Sequence, residues 1–215
     1  MLNKIFPKIH SEGYKFLVIS SLITIIFYFI NTFLCVIFFI ITVWVYYFFR
    51  DPERISINDD NYLVSPADGL VLQVLEVNGP KELGLENKKF TKISIFMNVF
   101  DCHVNRSPCK GKISEILYKP GKFFNASLDK ASEDNERNYY SIKNSQEEEI
   151  IVVQIAGLIA RRIVCETSIN EELDQGSRIG MIRFGSRADV YFENYKPLVK
   201  LNQKMIAGET LLARR

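Results

Sequence analysis

Ser65-Pro-Ala-Asp-Gly-Leu-Val71 and Ser107-Pro-Cys-Lys-Gly-Lys-Ile113 carry one pattern, repeated 42 residues apart. The match runs on, with Val74 against Ile116 and Gly79 against Gly121. In each copy a proline ends a loop, a glycine permits a tight approach, and an alternating strand follows. Two such units predict a mainly β, pseudo-symmetric sandwich. Around them, short runs rich in Val, Ile and Phe recur between Gly, Pro and Asn: 69–77, 92–99, 111–118, 150–157, 162–165, 180–184, 188–192 and 198–201. The polar stretches 133–138 and 146–149 read as loops.

A sandwich of this kind is similar to the lipoyl and biotinyl carriers. The chain that precedes it is of another character. Of 215 residues, 24% are charged and the net charge is +2, yet residues 16–49 contain no Asp, Glu, Lys or Arg. As one helix that run would extend about 51 Å at ~1.5 Å per residue, against a hydrocarbon core of ~30 Å. Asn31-Thr32 interrupts it near the middle, which favours two helices over 16–30 and 33–49 forming a hairpin, with one tilted span as the alternative. The run is too long for a secretory signal. Lys4, Lys8 and Lys15 before it, and Arg50 and Arg54 after it, would place both flanks on the cytoplasmic side. The aromatic cluster 44–49 suits an interfacial belt. The expected division is therefore a membrane-anchoring segment, 1–49, and a second domain, 50–215. From Arg50 onward 24 basic and 24 acidic side chains balance, which argues against a nucleic-acid partner.

Four residue groups could carry chemistry. His103, the only histidine beyond the apolar run, sits where a hydrophobic strand gives way to a loop, and one histidine suffices for a general base. Asp68 could orient that base or simply shape an Asp-Gly turn. Gly-Ser occurs at Gly176-Ser177 and at Gly185-Ser186, without the G-x-S-x-G pattern of a nucleophile elbow. A serine after glycine can attack the unhindered glycine carbonyl, and β-elimination from the ester then splits the chain. The cysteines, Cys35, Cys102, Cys109 and Cys165, have no C-x₂-C spacing, so no metal site is expected, and a reducing compartment is.

The set Phe48-Phe-Arg-Asp-Pro-Glu-Arg54, Ser65-Pro-Ala-Asp-Gly69, Asp101-Cys-His-Val-Asn-Arg106 and Gly180-Met-Ile-Arg-Phe-Gly-Ser-Arg187 strongly resembles the phosphatidylserine decarboxylases, in their short bacterial proenzyme form. The resemblance implies self-cleavage between Gly185 and Ser186, giving a β chain of residues 1–185 and an α chain of residues 186–215 held as a heterodimer. Ser186 would become a covalent pyruvoyl cofactor, which forms a Schiff base with the substrate amine and accepts the electrons left by CO₂. Asp68 and His103 would assist Ser186. Longer relatives carry His-x-x-His where this chain has His103 and Arg106; the proton-transfer role therefore falls to His103, the only histidine in the domain, with Asp68 as its partner. Arg106, Arg183 and Arg187 are candidates for the substrate phosphate. The expected partners are phosphatidylserine and the bilayer at the cytoplasmic face of the cell membrane, with homo-oligomerisation open. Two other readings stay open: a membrane-tethered carrier or binding module of lipoyl-like fold without catalysis, and a serine-based lipid hydrolase.

Overall fold

The computed structural model describes residues 6–126, 134–158, 162–183 and 186–215. The chain divides into two compact units, 1–53 and 54–215. In the first, the short strands β1 (Lys8–Ile9) and β2 (Arg50–Asp51) pair antiparallel and flank two helices, α1 (Tyr14–Ile30) and α2 (Thr32–Phe48). Asn31 breaks the apolar run between them. Its backbone is extended, and its side chain accepts the Leu34 N–H at 3.1 Å, capping α2. The helices form a hairpin in which the Thr24 and Thr42 hydroxyls meet at 3.0 Å and the Phe27 and Phe38 rings stack at 4.8 Å. The residues that point away are apolar and exposed, among them Phe29, Ile30 and Phe33. Residues Ser11–Ile30 form one helix long and apolar enough to cross a membrane, and α2 is a shorter apolar helix.

The second unit is mainly β. Its strands are β3 (Tyr62–Val64), β4 (Gly69–Asn78), β5 (Lys89–Met97), β6 (Val104–Arg106), β7 (Gly111–Lys119), β8 (Arg137–Lys143), β9 (Glu149–Ala156), β10 (Ile163–Cys165), β11 (Glu172–Leu173), β12 (Arg178–Ile182), β13 (Ser186–Phe192), β14 (Lys196–Pro197), β15 (Lys204–Met205) and β16 (Leu211–Arg214). Eight of them form a curled antiparallel sheet in the order β11-β7-β8-β9-β13-β5-β4-β15. Two three-stranded sheets, β10-β12-β6 and β14-β16-β3, complete it.

The sequence repeat appears as structure. β4 and β7 occupy equivalent places, each next to a two-residue edge strand, with Gly69 opposite Met205 and Gly111 opposite Leu173. Both strands shift register at the same repeat position, between Val71 and Gln73 and between Ile113 and Glu115. The preceding loops grip each other reciprocally: Val64 N–H donates to the Pro108 carbonyl and Arg106 N–H to the Pro66 carbonyl, both at 2.9 Å. Both glycines are needed for space. A Cβ on Gly69, whose φ is +147°, would lie 2.1 Å from the Phe96 carbonyl oxygen, and one on Gly111 would lie 2.4 Å from that of Lys143.

One face of the large sheet carries the main core, including Val71, Ile93, Ile95, Ile113, Tyr140, Val152, Ala188 and Val190. The other carries a smaller cluster of Phe90, Tyr139, Ile151, Val153 and Ile155. Burial on both faces explains why β8 escapes the sequence patterns: Arg137, Asn138, Tyr139, Tyr140 and Ser141 are all buried without alternating apolar and polar. Its first two residues fall in the stretch expected as a polar loop. The strand expected over 198–201 is instead irregular and turn backbone, with Leu198 and Leu201 exposed. The end of the strand expected over 180–184 lies outside the described residues.

Candidate functional site

Ser186 opens β13, the strand at the middle of the large sheet, directly opposite Met97 on β5 and Ala156 on β9. It is fully buried, and its hydroxyl donates to the Met97 Sδ at 3.7 Å. Gly185, the other half of the expected cleavage site, lies outside the described residues. Gly176-Ser177, the alternative Gly-Ser pair, is a turn: Gly176 has φ +82° and donates its N–H to the Ser107 carbonyl.

His103 follows a tight Asx turn that reverses the chain after β5. Asn98 Oδ1 accepts the Phe100 N–H at 2.8 Å, and Asp101 Oδ2 accepts the Asn98 N–H at 2.9 Å. The imidazole is fully buried, with Nδ1 3.0 Å from the Asp101 carbonyl oxygen. A carbonyl only accepts, so neutral His103 carries its proton on Nδ1 and leaves the lone pair on Nε2. The proton inventory of this buried ring therefore suits a base that acts through Nε2.

Asp68 ends the Ser65–Gly69 loop. Its carboxylate takes Arg54 Nη2 at 3.0 and 3.3 Å and the Ala207 N–H at 2.8 Å. The ion pair is nearly buried, with side-chain exposures of 16% for Arg54 and 11% for Asp68. Arg54 closes the Phe48–Arg54 motif, and its role had no signal in spacing, because its partner is a loop that only the fold brings near.

The candidate phosphate ligands diverge. Along a strand, successive side chains point to opposite faces. Ser186 shares its face with Ala188 and Val190, so Arg187 lies on the other. There it is buried in a fork, Nε to Asp189 Oδ1 at 2.6 Å and Nη2 to Asp189 Oδ2 and to Ser94 Oγ, both at 2.8 Å. That geometry sets Arg187 apart from Ser186. Arg106 donates from Nη1 to the Gly176 carbonyl at 2.9 Å and braces a turn. Arg183 is half-buried and follows Ile182, whose N–H donates to the His103 carbonyl at 3.3 Å.

Three buried polar residues that sequence reasoning passed over lie on the core face beside these groups. Tyr140 donates to Gln154 Oε1 at 2.8 Å, and Gln154 Nε2 donates to Asn105 Oδ1 at 2.9 Å. The Asn105 amide then reaches the Pro66 carbonyl at 3.4 Å and Met97 Sδ, the sulfur that Ser186 touches, at 3.5 Å. Burial holds the Tyr140 phenol well above its ordinary range, so it remains a proton donor. Burial likewise pushes the Cys109 thiol up to about 12, which makes it unreactive.

A mainly β unit that buries a serine at the head of its central strand and a histidine immediately before β6 offers a candidate serine-centred site inside a sheet core. Comparison with known proteins gives the family. The phosphatidylserine decarboxylase family model matches residues 41–213. A protein of Pelagibacter ubique (strain HTCC1062) named phosphatidylserine decarboxylase proenzyme is 77% identical over 215 residues, all of both chains. One of the same name from Ruegeria pomeroyi is 53% identical over 99% of this chain and 98% of its own. Another from Cereibacter sphaeroides is 50% identical over 99% and 92%. The chain belongs to the phosphatidylserine decarboxylase family of enzymes.

Proposed function

We propose that this protein converts phosphatidylserine to phosphatidylethanolamine after cutting itself between Gly185 and Ser186. The observation that carries the reading is Ser186 itself, fully buried at the head of the central strand and faced by the small Ala156 and by Met97. A three-carbon pyruvoyl group formed from Ser186 suits these neighbours, because only an alanine side chain stands opposite on β9. Attached there, the group supplies an electron sink for the pair left behind when the substrate carboxylate departs as CO₂.

The chain's own residues do the rest. His103 Nε2 takes the Ser186 hydroxyl proton during the cut and later holds a proton for the substrate carbon. Asp68, fixed by Arg54 and Ala207, orients the base across loops joined by the Arg106–Pro66 hydrogen bond. Arg183 and Arg106 are the arginines left to bind the phosphate of the headgroup, while Arg187 secures β13 from the opposite face. The buried setting keeps water from the reacting atoms. The apolar helices hold the enzyme on the cytoplasmic face of the membrane, where its lipid substrate lies, and residues 1–185 and 186–215 stay together as two chains of one sheet.

The test is CO₂ release from phosphatidylserine vesicles. The wild-type protein is expected to release it, Ser186→Ala to release none, and Ser177→Ala to match wild type. Equal release by wild type and Ser186→Ala would refute the assignment.

A further inference from the structure

Asn105 is fully buried, and its two amide groups are used unequally. The oxygen has a good partner in Gln154 Nε2 at 2.9 Å. Among the described residues the nitrogen has only long contacts, at 3.4 Å to a carbonyl already held by the Arg106 N–H at 2.9 Å, and at 3.5 Å to a sulfur. A sulfur is a weak acceptor, so these protons are poorly satisfied for a buried amide.

Nor can the amide turn over. The Pro66 carbonyl can only accept, which fixes the amide nitrogen toward it and the oxygen toward Gln154. Gln154 must then present Nε2 to Asn105 and Oε1 to Tyr140, whose hydroxyl donates to it at 2.8 Å and shares its proton with the Ile179 carbonyl at 3.0 Å. Three side chains from β6, β8 and β9 thus aim one N–H₂ group at the Met97 sulfur. Ser186 Oγ touches that sulfur at 3.7 Å, so the Asn105 nitrogen and the Ser186 oxygen are separated by at most the two contacts together, about 7 Å.

We infer that Asn105 is the hydrogen-bond donor that stabilises negative charge during self-cleavage. This rests on the proposed cut at Gly185-Ser186. As Ser186 Oγ loses its proton to His103 and bonds to the residue 185 carbonyl carbon, that carbonyl oxygen becomes negatively charged. It is bonded to the same carbon as Oγ. Asn105 Nδ2–H exchanges its poor contact with sulfur for a charged oxygen. The C–N bond then breaks, the proton passes to the nitrogen, and an ester remains. Preorganised amide donors suit this task because no reorientation is needed when the charge appears.

The experiment follows the cut itself, on freshly synthesised full-length chain, by the appearance of the 186–215 fragment in intact-mass spectra. Wild type is read first: if it is not cut at 185–186, the proposed function fails, independently of Asn105. Asn105→Asp keeps the shape and an acceptor for Gln154 but, when ionised, has no donor. It is expected to slow the cut about a hundredfold at pH 8. Protonation restores an O–H donor, and burial raises the pKa of the introduced carboxyl. The ratio of variant to wild-type rate is therefore expected to rise about tenfold or more as pH falls to 5.5. Tyr140 stays protonated throughout. A wild-type rate, or a slow rate whose ratio is flat with pH, would overturn the inference. Tyr140→Phe supplies an independent arm that preserves the core shape: it frees Gln154 to flip, and about a fivefold slower cut is expected. An unchanged rate in this folded variant would also overturn it.

Discussion

The two copies of the repeat share their architecture and differ at one telling position. In both, the serine hydroxyl donates to the carbonyl two residues on, Ser65 to Ala67 at 2.7 Å and Ser107 to Cys109 at 2.6 Å. In both, a glycine N–H from a turn donates back to that serine's carbonyl, Gly208 to Ser65 and Gly176 to Ser107. The fourth residue separates them. Asp68 is nearly buried and gripped by Arg54 and Ala207, whereas its counterpart Lys110 is 67% exposed and lies 3.9 Å from a still more exposed Asp174. What the copies share builds the sheet. What one copy alone possesses is the buried, gripped carboxylate to which the proposed function assigns chemistry.

The comparison can be broken most sharply at those two residues. Asp68→Asn is expected to slow self-cleavage about a thousandfold, since a carboxylate that positions a general base contributes on that scale. Lys110→Ala should leave the rate of the 186–215 fragment's appearance unchanged, and equal losses in both variants would remove the asymmetry. The shared part has its own test. Gly69→Ala and Gly111→Ala each drive a Cβ into a backbone carbonyl, and each should lower stability in urea unfolding by about 3 kcal/mol, with Gly69 the worse because of its φ of +147°. A near-neutral Gly111→Ala would mean that the second copy does not need the close approach.

Smaller effects probe the two faces of the sheet. On the core face, Tyr140→Phe leaves the Gln154 acceptor without its donor and should cost about 1–2 kcal/mol in the same measurement. On the other face, Glu82 sits between Lys119 at 2.8 Å and Arg137 at 3.6 Å. Burial alone would raise its carboxyl. The hydrogen bonds from Lys119 and its own backbone, together with the charges of Arg137 and Lys119, outweigh that and hold it below the usual 4.5. A carboxyl lowered on folding contributes stability that is present above about pH 4.5 and is lost as pH falls through the lower folded value. Glu82→Gln should flatten that part of the acid unfolding curve, lowering stability at pH 7 and changing little once the wild-type carboxyl is protonated.

The sequence made the repeat legible because turn chemistry leaves a spacing: serine, proline and glycine recur at fixed places whatever lies between them. It made the hairpin break at Asn31 legible for a related reason, a polar capping residue inside an apolar run. It did not show β8, whose buried Arg137 and Ser141 are satisfied by partners elsewhere rather than by alternation. Nor did it show the Tyr140–Gln154–Asn105 chain, since its members stand 14 and 49 residues apart and amides have no spacing of their own. Ser186 and His103 were nameable as residue types with chemistry. Which arginines keep them company was decided by strand alternation, and that placed Arg187 on the opposite face.

The central claim is that the head of β13 is also the start of a second chain. Intact-mass measurement of the purified wild-type protein under denaturing conditions addresses it directly. Two species are expected, residues 1–185 and residues 186–215, the smaller lacking a free amino terminus. A single uncut chain of 215 residues with its serine intact, in a preparation that releases CO₂ from phosphatidylserine, would contradict it.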